Sequence, residues 1–95
     1  MEKQAQVLLV EDDPMIAKSL RLSLPYEGYQ VTACETLRDG FEVFKSRAFD
    51  VVLLDVNLPD GSGLSLCQEI RKLNQWIPIL MVTAKTITRF FLACP

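Results

Sequence analysis

Residues 7–13 are Val-Leu-Leu-Val-Glu-Asp-Asp, so four aliphatic residues stand directly before three carboxylic acids. A second apolar run, residues 51–54, ends in Asp55, and a third, residues 79–82, ends in Thr83. Short runs rich in β-branched and aliphatic residues are typical of strands that are buried on both faces of a parallel sheet. The sequence therefore predicts a parallel sheet whose strands end in polar residues.

Four polar side chains follow these runs: Glu11, Asp12, Asp55 and Thr83. Parallel sheets bind ligands beyond the carboxyl ends of their strands, so we expect these side chains to surround one crevice. Crowded carboxylates repel one another unless a cation or a proton intervenes, and Mg²⁺ prefers oxygen ligands. The cluster indicates Mg²⁺ and a phosphoryl group. Taken singly, the acids also fit helix N-termini and loop caps.

Length and composition limit the class of protein. The chain has 95 residues, 49% of them hydrophobic, which is enough for one small globular domain. Its formal net charge of −2 gives no electrostatic reason to expect nucleic-acid binding. Residues 1–6 are polar, no secretory h-region follows them, and no apolar stretch approaches the length of a membrane span.

The cysteines and histidines constrain the chemistry further. The chain has three cysteines, at positions 34, 67 and 94, without a C-x-x-C motif, so we expect reduced thiols in a cytoplasmic protein. It has no histidine, so any histidine chemistry must come from a partner.

Helical segments alternate with the predicted strands. Asp12 or Asp13 is the predicted N-cap of the first helix, and Pro14 fits its first turn. Thr36 begins a second helix, and a third extends from about Ser62 to Asn74. A further strand lies at residues 29–34. Short connections in such an alternating pattern favour right-handed crossovers and a parallel α/β sheet.

The chain resembles the receiver domain of bacterial two-component response regulators. The resemblance covers residues 6–85 and depends on three motifs, at residues 7–13, 55–63 and 78–84, which agree in residue type, order and separation. It implies a flavodoxin-like doubly wound parallel sheet in the order 2-1-3-4. We expect an incomplete receiver domain over residues 1–85, without the family's fifth strand and last helix, and a non-matching tail over residues 86–95.

The resemblance also implies the roles of the site residues. Asp55 is the implied phosphoacceptor, and the implied Mg²⁺ ligands are Glu11, Asp12, Asp55 and the backbone carbonyl of Asn57.

Three further residues follow the strand of residues 79–82. The Thr83 hydroxyl is the implied switch group, and the Ala84 N–H is expected to touch the phosphoryl group. Lys85 is a weaker candidate for that contact, because the family's phosphoryl-binding lysine lies on the fifth strand. A solvated loop charge is the simpler interpretation of Lys85, and a backbone hydrogen bond is the simpler role for Thr83.

As a receiver, the chain is expected to accept a phosphoryl group from a sensor histidine kinase or a phosphotransfer protein. The output that it regulates, expected to be transcriptional, lies outside this sequence. We expect no enzyme activity beyond self-phosphorylation and autodephosphorylation at Asp55. Without a fifth strand, the edge of the fourth is expected to be unpaired and prone to self-association, with one or two helical turns over residues 86–93.

Three alternatives remain open at this stage. A haloacid-dehalogenase-type phosphohydrolase needs a second acid two residues after the nucleophile, where this chain has Asn57. A carrier of flavin mononucleotide needs a first loop that cradles a phosphate, whereas residues 11–13 are acidic. A degenerate receiver that serves only as an interaction module, or an inactive fragment, fits the absence of the family's lysine.

Overall fold

The computed structural model describes residues 4–83 and 86–91. Strands and helices alternate in the order β1 (Ala5–Val10), α1 (Pro14–Ser23), a 3-10 helix (Leu24–Glu27), β2 (Tyr29–Cys34), α2 (Leu37–Ser46), β3 (Val51–Asp55), β4 (Asn57–Leu58), β5 (Gly61–Ser62), α3 (Gly63–Leu73), β6 (Ile79–Thr83) and β7 (Thr86–Phe91).

The three α-helices begin where their capping residues predict. The side chain of Asp13 accepts hydrogen bonds from the Met15 and Ile16 N–H groups, and Pro14 occupies the first position of α1. Thr36 caps α2, and Ser62 caps α3. Each cap satisfies N–H groups that have no partner inside the helix. The predicted helix starts are confirmed, and Asp13 is the cap of α1.

The main sheet has the strand order β2-β1-β3-β6-β7. Its first four strands are parallel, which confirms the predicted 2-1-3-4 order, with β6 as the fourth predicted strand. The register pairs Val10 of β1 with Leu54 of β3. Glu11 and Asp55, which follow these two residues, therefore leave neighbouring strands at the same edge of the sheet.

The predicted conformation of the tail is wrong. Residues 86–91 form β7, which pairs antiparallel with β6 instead of forming helical turns. Threonine, isoleucine and phenylalanine favour strands, and pairing within the chain satisfies backbone groups that the edge of β6 leaves open. β7 occupies the edge of β6 that was expected to be unpaired, and self-association of the chain stays a prediction. The structure has a fifth strand in this sheet, but an antiparallel one.

The hydrophobic core lies between the sheet and the helices α2 and α3. Alternate residues of the strands, such as Leu8, Leu54 and Met81, are fully buried on this face and pack with Leu66 and Ile70 of α3. Burying a side chain of this size contributes about 1.5–3 kcal/mol. Right-handed crossovers place α1 on the opposite face of the sheet.

One glycine sets the distance between α2 and the sheet. A Cβ atom at Gly40 would lie 2.8 Å from the Cγ2 atom of Val10 and 3.3 Å from the Leu66 side chain. Gly40 therefore allows α2 to approach β1 more closely than any other residue type would, although glycine lowers the intrinsic stability of a helix by about 1 kcal/mol relative to alanine.

One smaller prediction needs correction. Cys34 is a free, buried thiol as predicted, whereas Cys67 is disulfide-bonded, so the prediction of reduced thiols is wrong for Cys67.

No helix in the described part of the chain has the length and apolar character needed to cross a bilayer.

Candidate functional site

Three acids meet at the carboxyl edge of the sheet. The backbone N–H of Glu11 donates to the Cys34 carbonyl over 2.9 Å and so continues the pairing of β1 with β2. Glu11 and Asp55 are buried, with 2% and 3% of their surface exposed, and Asp12 is exposed. One carboxylate oxygen from each of the three acids lies within 4.8 Å of the others. The structure thus brings together the predicted acidic metal ligands.

Glu11 has one satisfied and one unsatisfied oxygen. Its Oε1 atom accepts a hydrogen bond from the Asp13 N–H at 2.9 Å. Its Oε2 atom is buried and has no hydrogen-bond partner. Leaving a buried charged oxygen without a partner is costly, and a cation beside it removes that cost. The donor set, three carboxylates with one orphaned oxygen, therefore fits a hard divalent cation such as Mg²⁺.

The same environment changes the protonation of Glu11. Burial raises the pKa of Glu11 to about 7. The hydrogen bond from the Asp13 N–H opposes this shift, whereas the neighbouring Asp55 and Asp12 charges strengthen it. A cation at this position competes with a proton for the same carboxylate.

Backbone hydrogen bonds in the loop after β3 constrain Asp55 and the residue that follows it. The Asn57 N–H donates to Asp55 Oδ1 at 3.2 Å, and the Gly63 N–H donates to the Val56 carbonyl at 2.7 Å. A Cβ atom at Gly63 would lie 2.0 Å from the Asp55 carbonyl oxygen. The requirement at Gly63 is space, because the start of α3 touches the backbone of Asp55.

A short hairpin continues this loop. β4 and β5 pair antiparallel, with Asn57 opposite Ser62 and Leu58 opposite Gly61. Asn57, the predicted carbonyl ligand, therefore lies on the first strand of the hairpin, two residues after Asp55.

Asp60, at the tip of the hairpin, has a role that the sequence did not reveal. Its Oδ1 atom accepts a hydrogen bond from the Leu37 N–H at 2.9 Å, and its Oδ2 atom accepts one from the Arg38 N–H at 3.1 Å. The Leu37 N–H, together with weaker backbone contributions, lowers the pKa of Asp60. Asp60 thus caps a helix that begins 23 residues earlier. Local motifs cannot reveal a cap at that separation.

The remaining predicted site residues follow β6. Val82 lies opposite Asp55 in the register of β3 with β6, so Thr83 ends its strand beside the acidic cluster. Ala84 and Lys85 lie outside the described residues. Their predicted contacts to a phosphoryl group, and that of the Thr83 hydroxyl, stay predictions.

A cavity of about 490 Å³ adjoins the acidic cluster. Its lining includes Glu11 and Asp12, which follow β1, and Pro14 and Ala17 of α1. Cys34 at the end of β2 and the following Glu35 also line it. Asp55 is not among its lining residues. The cavity therefore reaches the acid pair of β1 and not the carboxylate of β3.

Comparisons with known proteins agree with this arrangement of strands and acids. The family model of the response regulator receiver domain matches residues 7–94. The chain belongs to this family. Receiver domains are generally not catalytic enzymes, and response regulators that contain them act in two-component systems.

Curated relatives include transcriptional regulators. The chain is 40% identical over 85 residues to an uncharacterized transcriptional regulatory protein, YkoG, of Bacillus subtilis, covering 90% of this chain and 37% of the relative. It is 39% identical over 83 residues to the response regulator ArlR of Staphylococcus saprophyticus, covering 87% of this chain and 37% of the relative. The chain thus spans little more than a third of the length of these relatives.

Two solved structures share the fold. A response regulator protein, TrrA, of Thermotoga maritima in complex with Mg²⁺-BeF has a TM-score of 0.82 at 34% identity, covering 87% of this chain and 72% of that one. A complex of the histidine kinase ThkA with TrrA also gives a TM-score of 0.82, at 32% identity, covering 95% of this chain and 78% of the other.

Proposed function

We propose that this chain is the phosphoacceptor of a two-component phosphorelay and that Asp55 receives the phosphoryl group. The observation that supports this role best is the meeting of three carboxylates at one edge of the sheet, with a buried oxygen of Glu11 that lacks a hydrogen-bond partner. Three acids crowded in this way are stabilised by a proton or a cation between them, and a cation at a buried aspartate is what phosphoryl transfer to a carboxylate needs.

The reaction itself is a substitution at phosphorus. A carboxylate oxygen of Asp55 attacks the phosphorus of a phosphohistidine on the partner, the P–N bond breaks, and the imidazole leaves with the electron pair. The product is an acyl phosphate on Asp55. The Asn57 N–H holds Asp55 Oδ1 at 3.2 Å and so fixes the orientation of the carboxylate before the reaction.

The chain's own residues would hold the metal. We assign Glu11, Asp12, Asp55 and the backbone carbonyl of Asn57 as ligands of Mg²⁺, directly or through water. When bound, Mg²⁺ offsets the negative charge that otherwise opposes the approach of a phosphoryl group to a carboxylate. Glu11 must give up its proton for this role, because a protonated carboxyl group is a poor ligand.

Residues after β6 complete the proposed site. We assign the Thr83 hydroxyl as the group that turns toward the phosphoryl group, and the Ala84 N–H as a donor to one of its oxygens. Lys85 is a weaker candidate for the same contact. The support for these roles is the register, which pairs Asp55 with Val82 and so places the end of β6 beside the acceptor.

The proposed partner is a sensor histidine kinase or a phosphotransfer protein, since the chain has no histidine of its own. The similar protein TrrA is known in complex with a histidine kinase, which supports this choice. Relatives described as transcriptional regulators support a transcriptional output outside this chain. Self-phosphorylation from a small phosphodonor, autodephosphorylation and a cytoplasmic location belong to the same proposal.

Intact-mass spectrometry tests the proposal. The chain is incubated with acetyl phosphate, with and without Mg²⁺, beside the variant Asp55→Asn. We expect one phosphoryl group on the unaltered chain with Mg²⁺, and none on the variant or after chelation. Unchanged labelling of Asp55→Asn would refute the assignment. No labelling of a folded, Mg²⁺-loaded chain would favour the alternative of a receiver that acts only as an interaction module.

A further inference from the structure

The tip of the hairpin that follows Asp55 is hydrogen-bonded to the start of α2. Both carboxylate oxygens of Asp60 accept backbone hydrogen bonds from the first turn of α2, at 2.9 Å from the Leu37 N–H and at 3.1 Å from the Arg38 N–H. Hydrogen bonds from N–H groups to a carboxylate are stronger than neutral ones, and the N-terminus of a helix favours a negative charge.

The backbone of the hairpin also lies close to the Leu37 side chain. Gly61 has a φ angle of +146°, and a Cβ atom there would lie 3.0 Å from the Cδ1 atom of Leu37. The hairpin tip thus approaches the first turn of α2 through Asp60 and Gly61 together. Pro59, which precedes Asp60, restricts the tip further by fixing its own φ angle.

Helix α2 is a firm support for this attachment. Gly40 packs directly against Val10, the last residue of β1 before the acid pair. Phe41 and Phe44 pack against the buried core. A position fixed relative to α2 is therefore also fixed relative to β1 and the acids that follow it.

We infer that Asp60 is a positioning residue of the metal site, which holds the hairpin against α2 and thereby sets the position of the Asn57 carbonyl. Asn57 lies on the opposite strand of the same hairpin, paired with Ser62, so a displacement of the tip is carried to Asn57. Asp60 contacts neither metal nor phosphoryl group and acts through Asn57. The inference rests on the proposed function, because it assigns the Asn57 carbonyl to Mg²⁺.

Thr36 provides a matched control. Its Oγ1 atom accepts a hydrogen bond from the Asp39 N–H at 3.1 Å, so it caps the same helix through a hydrogen bond that does not involve the hairpin. Thr36→Ala weakens the start of α2 alone, whereas Asp60→Ala also releases the hairpin tip. Asp60→Asn keeps the shape of the side chain and one acceptor oxygen but removes the charge.

The experiment measures two quantities on the full chain and these three variants. The first is the Mg²⁺ dissociation constant from amide NMR shifts. The second is hydrogen exchange of the Asn57 and Gly63 amides in metal-free protein. We expect Asp60→Ala to raise the dissociation constant about tenfold, as loss of a group that orients a ligand does. It should also speed exchange at both amides. Asp60→Asn should give values between those of the unaltered chain and those of Asp60→Ala. Thr36→Ala should change neither quantity.

Equal effects of Asp60→Ala and Thr36→Ala would overturn the inference, because Asp60 would then be only a helix cap. Where Asp60→Ala does not fold, Asp60→Asn decides: values equal to those of the unaltered chain overturn the inference. If the unaltered chain itself does not bind Mg²⁺, the proposed function fails, and the metal-free exchange rates still decide whether Asp60 positions the hairpin.

Discussion

Glu11 combines two properties that conflict in the absence of a cation. It is buried with an unpartnered oxygen, and it stands beside two other acids. A buried carboxylate in this setting holds its proton more tightly than in the unfolded chain, which is why the pKa of Glu11 rises to about 7. Between its ordinary value and that value, the folded state binds more protons than the unfolded state, so stability falls as the pH rises.

The first prediction concerns this pH dependence. In a chelating buffer, the free energy of unfolding should decrease as the pH rises from about 5 to about 8, by on the order of 2 kcal/mol, because folding then buries the Glu11 charge. Glu11→Gln should remove most of the slope. Urea unfolding at a series of pH values measures it.

Added Mg²⁺ should act against this trend, since a cation stabilises the ionised form that burial disfavours. The gain in stability on adding Mg²⁺ should therefore be larger at pH 8 than at pH 6. A metal-free stability that is flat across this range, or a slope that persists in Glu11→Gln, would show that Glu11 does not control the titration.

At the scale of elements, the sequence predicted the parallel strands and the helix starts well. Residues 7–10 and 51–54 are aliphatic runs with little helical character, and Asp13, Thr36 and Ser62 are strong caps. These signals are local, so a single sequence contains them. The convergence of Glu11 and Asp55 also followed, because parallel strands end at the same edge.

Two features could not be predicted, for different reasons. The cap that Asp60 provides joins residues far apart in the chain, and no periodicity encodes it. Residues 86–91 have the composition of a strand, but their antiparallel pairing with β6 depends on tertiary context that the composition of the segment does not encode. Helical spacing of the apolar residues misled the prediction there, and pairing with β6 outweighed it.

Gly40 gives a prediction at this scale. Gly40→Ala should destabilise the fold by about 1–3 kcal/mol, since the new methyl group would lie 2.8 Å from the stiff side chain of Val10. In an isolated helix the same change would stabilise by about 1 kcal/mol, so the sign separates packing from propensity. Chemical denaturation measures the change, with the exposed Arg38→Ala on the same helix as control. A stabilised Gly40→Ala would mean that α2 sits farther from β1.

As a whole molecule, the chain is a receiver domain. Its parallel sheet positions the three acids, and the hairpin after Asp55 contacts two helices. The hairpin after Asp55 meets α3 through Gly63 and α2 through Asp60. Glu11 and Asp12, which follow β1, lie near Asp55 because the register pairs Val10 of β1 with Leu54 of β3. The entire fold thus contributes to one arrangement of carboxylates, and we propose that this arrangement directs a phosphoryl group to Asp55.

Locating the modified residue tests that claim most directly. The chain is treated with acetyl phosphate and Mg²⁺, reduced with borohydride, which converts an aspartyl phosphate to homoserine, and digested for sequencing by mass spectrometry. We predict homoserine at position 55 and at no other acid. Modification at Glu11, Asp12 or Asp60 instead of Asp55, or modification that is independent of Mg²⁺, would contradict the account.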